Sequence, residues 1–168
     1  MSLEGSVARR YARALLQIGL ETGRLRGLVT EVDRVAETIE GSQELKDVLQ
    51  SPAVLKSQRR KVVDALAVRL TVSKLTRNTC MLLVDRGRAS VLPAIARELR
   101  SMVDEHEGVV RAEVTSARPL DKAYLERLTR ALRTATGKKV QLTTTQDRNL
   151  IGGVITRVGG LVYDGSLR

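Results

Sequence analysis

Phenylalanine and tryptophan are missing from this 168-residue chain, and it has only three tyrosines, one cysteine and one histidine. Each scarcity excludes something. Without aromatic platforms there is little on which a nucleic-acid base could stack. Cys80 alone cannot form an internal disulfide framework or a cysteine-based zinc site. With His106 as the only imidazole, Ser–His–Asp or Cys–His catalysis has one possible base, and a transition-metal site would have to be built from carboxylates. His106 lies in Asp104-Glu105-His106-Glu107-Gly108, at the end of a helical pattern. There its positive charge suits the helix C-terminus, and we read it as structural. Cys80, inside the apolar stretch Cys80-Met81-Leu82-Leu83, reads as a small core residue with a raised pKa and no reactivity. No run of about 18 apolar residues exists to span a membrane. The start Met-Ser-Leu-Glu-Gly-Ser has no apolar signal core, so the expected location is the cytosol or the cytosolic face of a membrane.

What is present is aliphatic and basic. Hydrophobic residues make up 42% and charged residues 29% of the chain, with a net charge of +10, the composition of a folded globular protein. The excess positive charge divides evenly between residues 1–105 and 106–168, unlike a tail or a single footprint. A basic nucleic-acid-binding scaffold is the alternative this charge raises, with Arg9, Arg10 and Arg13 recurring on one helix. Against it stand the missing aromatics, the absence of any recognition motif and the dispersal of the charge.

Residues 6–105 carry a helical period. Ser6 is expected to cap a first helix whose stripe is Tyr11, Ala14, Leu15 and Ile18. A second run holds Leu25, Leu28, Val32, Val35, Ala36 and Ile39 and stops at Gly41. Ser42 opens a short third helix, ended by Ser51-Pro52. Ser57 opens a fourth, with Val62, Val63, Leu66 and Leu70 on one side. Its first turn carries Arg59-Arg60-Lys61, ill placed for the helix dipole and therefore solvated or facing something acidic. A fifth helix over 72–86 is the most apolar, with Leu75, Thr79, Leu82 and Leu83, and Gly87 ends it. The sixth, with Val91, Leu92, Ile95, Leu99, Met102 and Val103, ends at Gly108.

Beyond Gly108 the period becomes two. Val110, Ala112 and Val114 alternate with polar residues as a half-buried strand. Asp121 caps a helix with the stripe Leu125, Leu128, Leu132 and Ala135, closed by Gly137. Strands follow over 139–145 and 150–158, the second interrupted by Gly152-Gly153. Gly159-Gly160 suits a hairpin turn into Leu161-Val162-Tyr163. Neither glycine pair leads into a helix and no G-x-G-x-x-G occurs, so a phosphate cradle is not expected. The predicted fold class is an all-α N-terminal six-helix bundle over 1–105 followed by a small α+β C-terminal domain over 106–168.

Four stretches carry a family resemblance: Val7-Ala8-Arg9-Arg10-Tyr11-Ala12-Arg13-Ala14-Leu15; Leu82-Leu83-Val84-Asp85-Arg86-Gly87-Arg88; Ala117-Arg118-Pro119-Leu120; and Leu150-Ile151-Gly152-Gly153-Val154 with Tyr163-Asp164-Gly165-Ser166-Leu167-Arg168. In order and spacing the chain resembles the delta subunit of the F-type ATP synthase, the oligomycin-sensitivity-conferring protein family. Two departures stand out. Arg86 occupies a position where the family usually has Asn. The sequence also ends where the family's last helix continues, which leads us to expect a less stable C-terminal part.

The resemblance implies a non-catalytic stator subunit that binds no cofactor, nucleotide or nucleic acid. It would hold the catalytic head against rotor torque, one copy per complex, on the cytoplasmic face of a bacterial membrane and bound to it only through the complex. The implied partners are the N-terminal helix of an alpha subunit, seated between the first and fifth helices, and the C-terminal end of the b subunit on the C-terminal domain. Carried onto this sequence, the groove would be lined by Tyr11, Ala14, Leu15 and Ile18 on one wall and Thr79, Leu82 and Leu83 on the other. Gly87, Gly153 and Gly165 would shape turns and strand, and Asp164 would cap the last helix. The residues themselves leave open whether these apolar positions line a groove or form the bundle core.

Overall fold

The computed structural model describes residues 3–147, 150, 153–158 and 161–164. Seven α-helices and a four-stranded sheet follow in the order α1 (Leu3–Glu21), α2 (Leu25–Glu40), α3 (Gln43–Gln50), α4 (Lys56–Arg69), α5 (Lys74–Asp85), α6 (Leu92–His106), β1 (Val109–Ser116), α7 (Lys122–Thr136), β2 (Lys139–Gln146), β3 (Val154–Val158) and β4 (Leu161–Asp164). A 3-10 turn, Ala89–Val91, joins α5 to α6. Two units separate, Met1–Val103 and Asp104–Arg168.

In the first unit, one aliphatic core draws residues from all six helices, among them Ala8, Ala12 and Leu15 of α1, Leu83 and Val84 of α5, and Ile95 and Leu99 of α6. Its fully buried members are all aliphatic or small, and close approach does much of the packing. Gly19 is the clearest case, because a Cβ there would lie 2.7 Å from Leu25 Cδ1 and 3.1 Å from the Leu25 backbone. Ser6 is not the cap of α1. The helix begins at Leu3, with Glu4 supplying the acidic first turn that favours an N-terminus, and Ser6 sits inside it. Nor does Ser57 open α4. The N-cap is Leu55, whose N–H donates to the Gln58 side chain at 3.2 Å.

The basic first turn of α4 meets acid and carbonyl groups. Arg59 donates to the Ser51 carbonyl at 2.8 Å and to the Val54 carbonyl at 2.9 Å. Arg60 donates to both carboxylate oxygens of Asp85, and Lys56 lies 3.5 Å from the same residue. Asp85 ends α5, where an acid is as poorly placed as the cations that start α4. The two helices pack together, so each unfavourable dipole contact is answered by the other's charge. Arg77 and Asp64 repeat the link further along the pair.

Where α4 turns toward α5, Thr71 adopts φ 52°, a left-handed conformation costly for a β-branched residue. Its N–H donates to the Val68 carbonyl and that of Val72 to the Ala67 carbonyl, the hydrogen bonds of a helix end usually built on glycine. Thr71 is exposed. Thr71→Gly is therefore expected to stabilise the protein by about 1 kcal/mol, read as a higher urea midpoint at unchanged slope. A lower midpoint would refute strain at this site.

The N-terminus of α5 is capped twice. Ser73 accepts from the Thr76 N–H, and the Glu31 carboxylate from α2 accepts from the Ser73 N–H (3.0 Å), the Ser73 hydroxyl (2.6 Å) and the Thr76 hydroxyl (2.5 Å). Burial pushes the Glu31 pKa up, but the Ser73 and Thr76 hydrogen bonds and the nearby Arg24 charge outweigh it and hold the group below its ordinary 4.5. The unfolded chain thus takes up this proton first. The stabilisation from Glu31 is fully present above about pH 4.5 and is lost as pH falls through the lower folded-state pKa. Glu31→Gln should lower stability at pH 7 and flatten its fall between pH 5 and 3; identical pH profiles would remove Glu31 as the cause.

The second unit is a β-α-β unit extended by a hairpin, with strand order β2-β1-β3-β4. β1 runs parallel to β2, Val110 opposite Val140, and antiparallel to β3, Ala112 opposite Val158. Ala112, Val140 and Val158 form its core with Val110 and Leu132 against them. Asp121 caps α7 by accepting from the Tyr124 N–H at 2.5 Å, and Gly137 closes it. The expected buried stripe is corrected. No residue of α7 is fully buried; Leu125, Leu128 and Leu132 are half-buried and Ala135 is exposed. The helix packs on the edge strand β2, with Leu132 against the small core of the sheet. The strand expected from Leu150 starts only at Val154. Residues 151–152 and the hairpin glycines 159–160 lie outside the described residues.

Candidate functional site

α1 carries two apolar stripes side by side, each with the 4-3-4 spacing that keeps residues on one helix face. Ala8, Ala12, Leu15 and Gly19 face the core and are buried. Val7, Tyr11, Ala14 and Ile18 form the second stripe, one residue earlier at each step. Val7, Tyr11 and Ile18 are half-buried and Ala14 is exposed. Tyr11 and Val7 still pack against the core from the side, and an amphipathic ring is suited to such an edge.

α5 repeats the arrangement. Thr76, Cys80, Leu83 and Val84 are buried, while Leu75, Thr79, Leu82 and Arg86 share another face. Leu75 and Thr79 are half-buried, and Leu82, at 42% exposure, is among the few large apolar side chains open to solvent. Both helices pack against the 3-10 turn Ala89–Val91.

Of the seven expected wall residues, five lie on these outward stripes: Tyr11, Ala14, Ile18, Thr79 and Leu82. Leu15 and Leu83 do not. At 3% and 0% exposure they belong to the core, because the helical angle of about 100° per residue carries each to the face beside the stripe. Val7 and Leu75 complete the stripes and were missed, although the spacing that marks them was legible. A Schellman motif ends α5, with the Gly87 N–H donating to Val84 O at 3.0 Å and the Arg88 N–H to Leu83 O at 2.7 Å. Gly87 has φ 64° and open space around a would-be Cβ, so backbone conformation, not crowding, demands glycine. Gly153 has φ 82° immediately before β3. Asp164 ends β4; the capping expected of its side chain, and Gly165, lie outside the described residues.

Chemistry finds little footing. Burial pushes the Cys80 thiol up to about 12, too high for a thiolate nucleophile at neutral pH. Among the described residues no group of three or more His, Cys, Asp or Glu could hold a metal ion, and no helix is long and apolar enough to cross a membrane.

Comparison with known proteins decides the family. The model of the ATP synthase delta (OSCP) subunit family matches residues 7–168. The chain belongs to that family. ATP synthase subunit delta of Anaeromyxobacter dehalogenans (strain 2CP-1 / ATCC BAA-258) is 44% identical over 166 residues, 99% of this chain and 93% of that protein. The subunit of Geobacter sp. (strain M21) is 41% identical over 163 residues, 97% and 91% of the two chains. A chain in the cryo-EM structure of the Toxoplasma gondii mitochondrial ATP synthase hexamer matches with a TM-score of 0.73 at 26% identity, covering 99% of this chain and 92% of that one.

As a delta-family member the protein is a non-catalytic subunit of an F-type ATP synthase, part of its stator stalk, and it partners other subunits of that complex. Its association with the membrane runs through the complex. The nucleic-acid alternative has no support in the family.

Proposed function

We propose that residues 1–105 form a six-helix bundle whose outward stripes on α1 and α5 receive the N-terminal helix of an alpha subunit, and that the C-terminal α+β domain meets the C-terminal end of the b subunit. In that arrangement the protein, one copy per complex on the cytoplasmic face of a bacterial membrane, keeps the catalytic head from turning with the rotor. The observation that carries this reading is the second stripe of α1. A helix needs one apolar face to join its own core, and Val7, Tyr11, Ala14 and Ile18 add another beside it. Ala14 is the least covered and the smallest, so a partner helix can come close there. The bacterial origin of the delta subunits compared above agrees with the membrane proposed.

The function is mechanical. Residence against torque is set by slow dissociation from apolar contact, and no bond is made or broken. Calorimetric titration of the full chain with a peptide of the cognate alpha subunit's N-terminal segment, at about 0.15 M salt, is expected to give 1:1 binding. A folded chain that does not bind the peptide would overturn the assignment.

A further inference from the structure

Several arginines of the helical unit are answered by acid from another helix. Arg60, Arg77, Arg97 and Arg100 each face a carboxylate on another helix: Asp85, Asp64, Glu40 and Asp33. Arg9, Arg10 and Arg13 of α1 have no carboxylate partner among the described residues. These three are exposed, and the spacings 9/13 and 10/13 make them like-charge neighbours on the helix surface, an arrangement that destabilises an isolated helix. No acid at i±3 or i±4 relieves them: Ser6, Ala14 and Gln17 occupy the nearby positions. With these residues the arginines outline an open depression of about 390 Å³ that shares Ala14 with the outward apolar stripe.

We propose that this cluster recognises carboxylates on the alpha subunit's N-terminal helix, which is therefore an acidic amphipathic segment: its apolar face lies on Val7, Tyr11, Ala14 and Ile18, and its acidic flank lies beside Arg10, while Arg13 and Arg9, successively farther round α1, add their charge to the field at that edge. The inference rests on the groove reading above and adds the partner's chemistry. Charge complementarity supports it. The fold leaves a self-repelling cation cluster uncompensated beside the outward stripe of α1, and an anionic flank at that edge relieves the repulsion while the apolar stripe is covered. Arginine suits the role because its planar fork pairs with a carboxylate in two hydrogen bonds while its stem covers apolar surface. The division of labour follows: the apolar stripe governs dissociation, and the arginines govern encounter and register.

The test is stopped-flow association of the full chain with a fluorescently labelled peptide of the cognate alpha N-terminal segment, at ionic strengths from about 0.02 to 0.3 M. For the wild-type chain the association rate should fall about tenfold over that range. The variant R9Q/R10Q/R13Q should associate about tenfold more slowly at the low end, show a nearly flat salt response and keep its dissociation rate within about twofold. Removing repulsion should leave its melting temperature equal or higher, so slow association cannot be ascribed to unfolding. A peptide with every Asp and Glu changed to the amide should reproduce the same loss on the wild-type chain. Equal association rates and salt slopes for variant and wild type would overturn the charge proposal and leave the groove standing, as would a cognate segment without acidic residues. A peptide that does not bind at all would remove both. A single-stranded oligonucleotide that binds the wild-type chain more tightly than the peptide at equal salt, and loses that binding in R9Q/R10Q/R13Q, would reassign the arginines to nucleic acid.

Discussion

Ala14→Asp is expected to weaken binding of the alpha-subunit peptide by about 3 kcal/mol, more than a hundredfold, while the chain stays folded. Ala14 is the exposed member of the outward stripe of α1, so the free protein keeps the new carboxylate in water. The cost arises only when a partner helix covers the position, because the charge then loses its hydration inside an apolar contact. Arg10, four residues earlier, can pair with the introduced carboxylate and offset the lower helix propensity of aspartate, about 0.7 kcal/mol. Titration calorimetry with the peptide and a thermal melt of the same sample separate the two effects. Undiminished affinity at an unchanged melting temperature would place the partner elsewhere on the unit.

Neighbouring leucines on α5 should behave oppositely. Leu83 is fully enclosed, and its truncation to alanine deletes three carbons from the aliphatic core of the unit. Leu83→Ala is expected to cost about 3 kcal/mol of folding stability, a fall of roughly 12–15 °C in melting temperature for a unit of about 100 residues. Leu82 is 42% exposed, and Leu82→Ala should change stability by no more than about 1 kcal/mol while weakening peptide binding. The pair therefore reports the rotation of α5 about its own axis. Exchanged roles, with Leu82→Ala destabilising and Leu83→Ala binding-defective, would mean that the helix presents a face turned by about 100° from this one.

Patterning along the chain was enough for much of this. The change of period at Gly108, the N-caps at Ser42 and Asp121 and the helix ends at Gly87 and Gly137 were all legible, because each rests on interactions within about five residues. Family membership was legible too, since four short stretches kept their order and spacing across the whole chain. Helix starts were less secure. Ser6 and Ser57 had the right chemistry for a cap, but neighbouring residues began the helix earlier, at Leu3 and Lys56.

Local spacing does not distinguish two apolar stripes on one helix. Tyr11, Ala14, Leu15 and Ile18 are all consistent with a single apolar face, and only the packing of α2 and the 3-10 turn against α1 divides them into an enclosed Leu15 and an outward Tyr11, Ala14 and Ile18. Leu82 and Leu83 divide for the same reason. Long-range charge was equally hidden: Asp85 answers Arg60 across 25 residues, and Glu31 caps α5 from 42 and 45 residues away. By itself, then, the sequence determined the elements, the family and the absence of any familiar catalytic constellation. Which apolar residues are core and which are left for a partner was decided by the tertiary structure, because burial depends on what the rest of the chain places opposite each side chain.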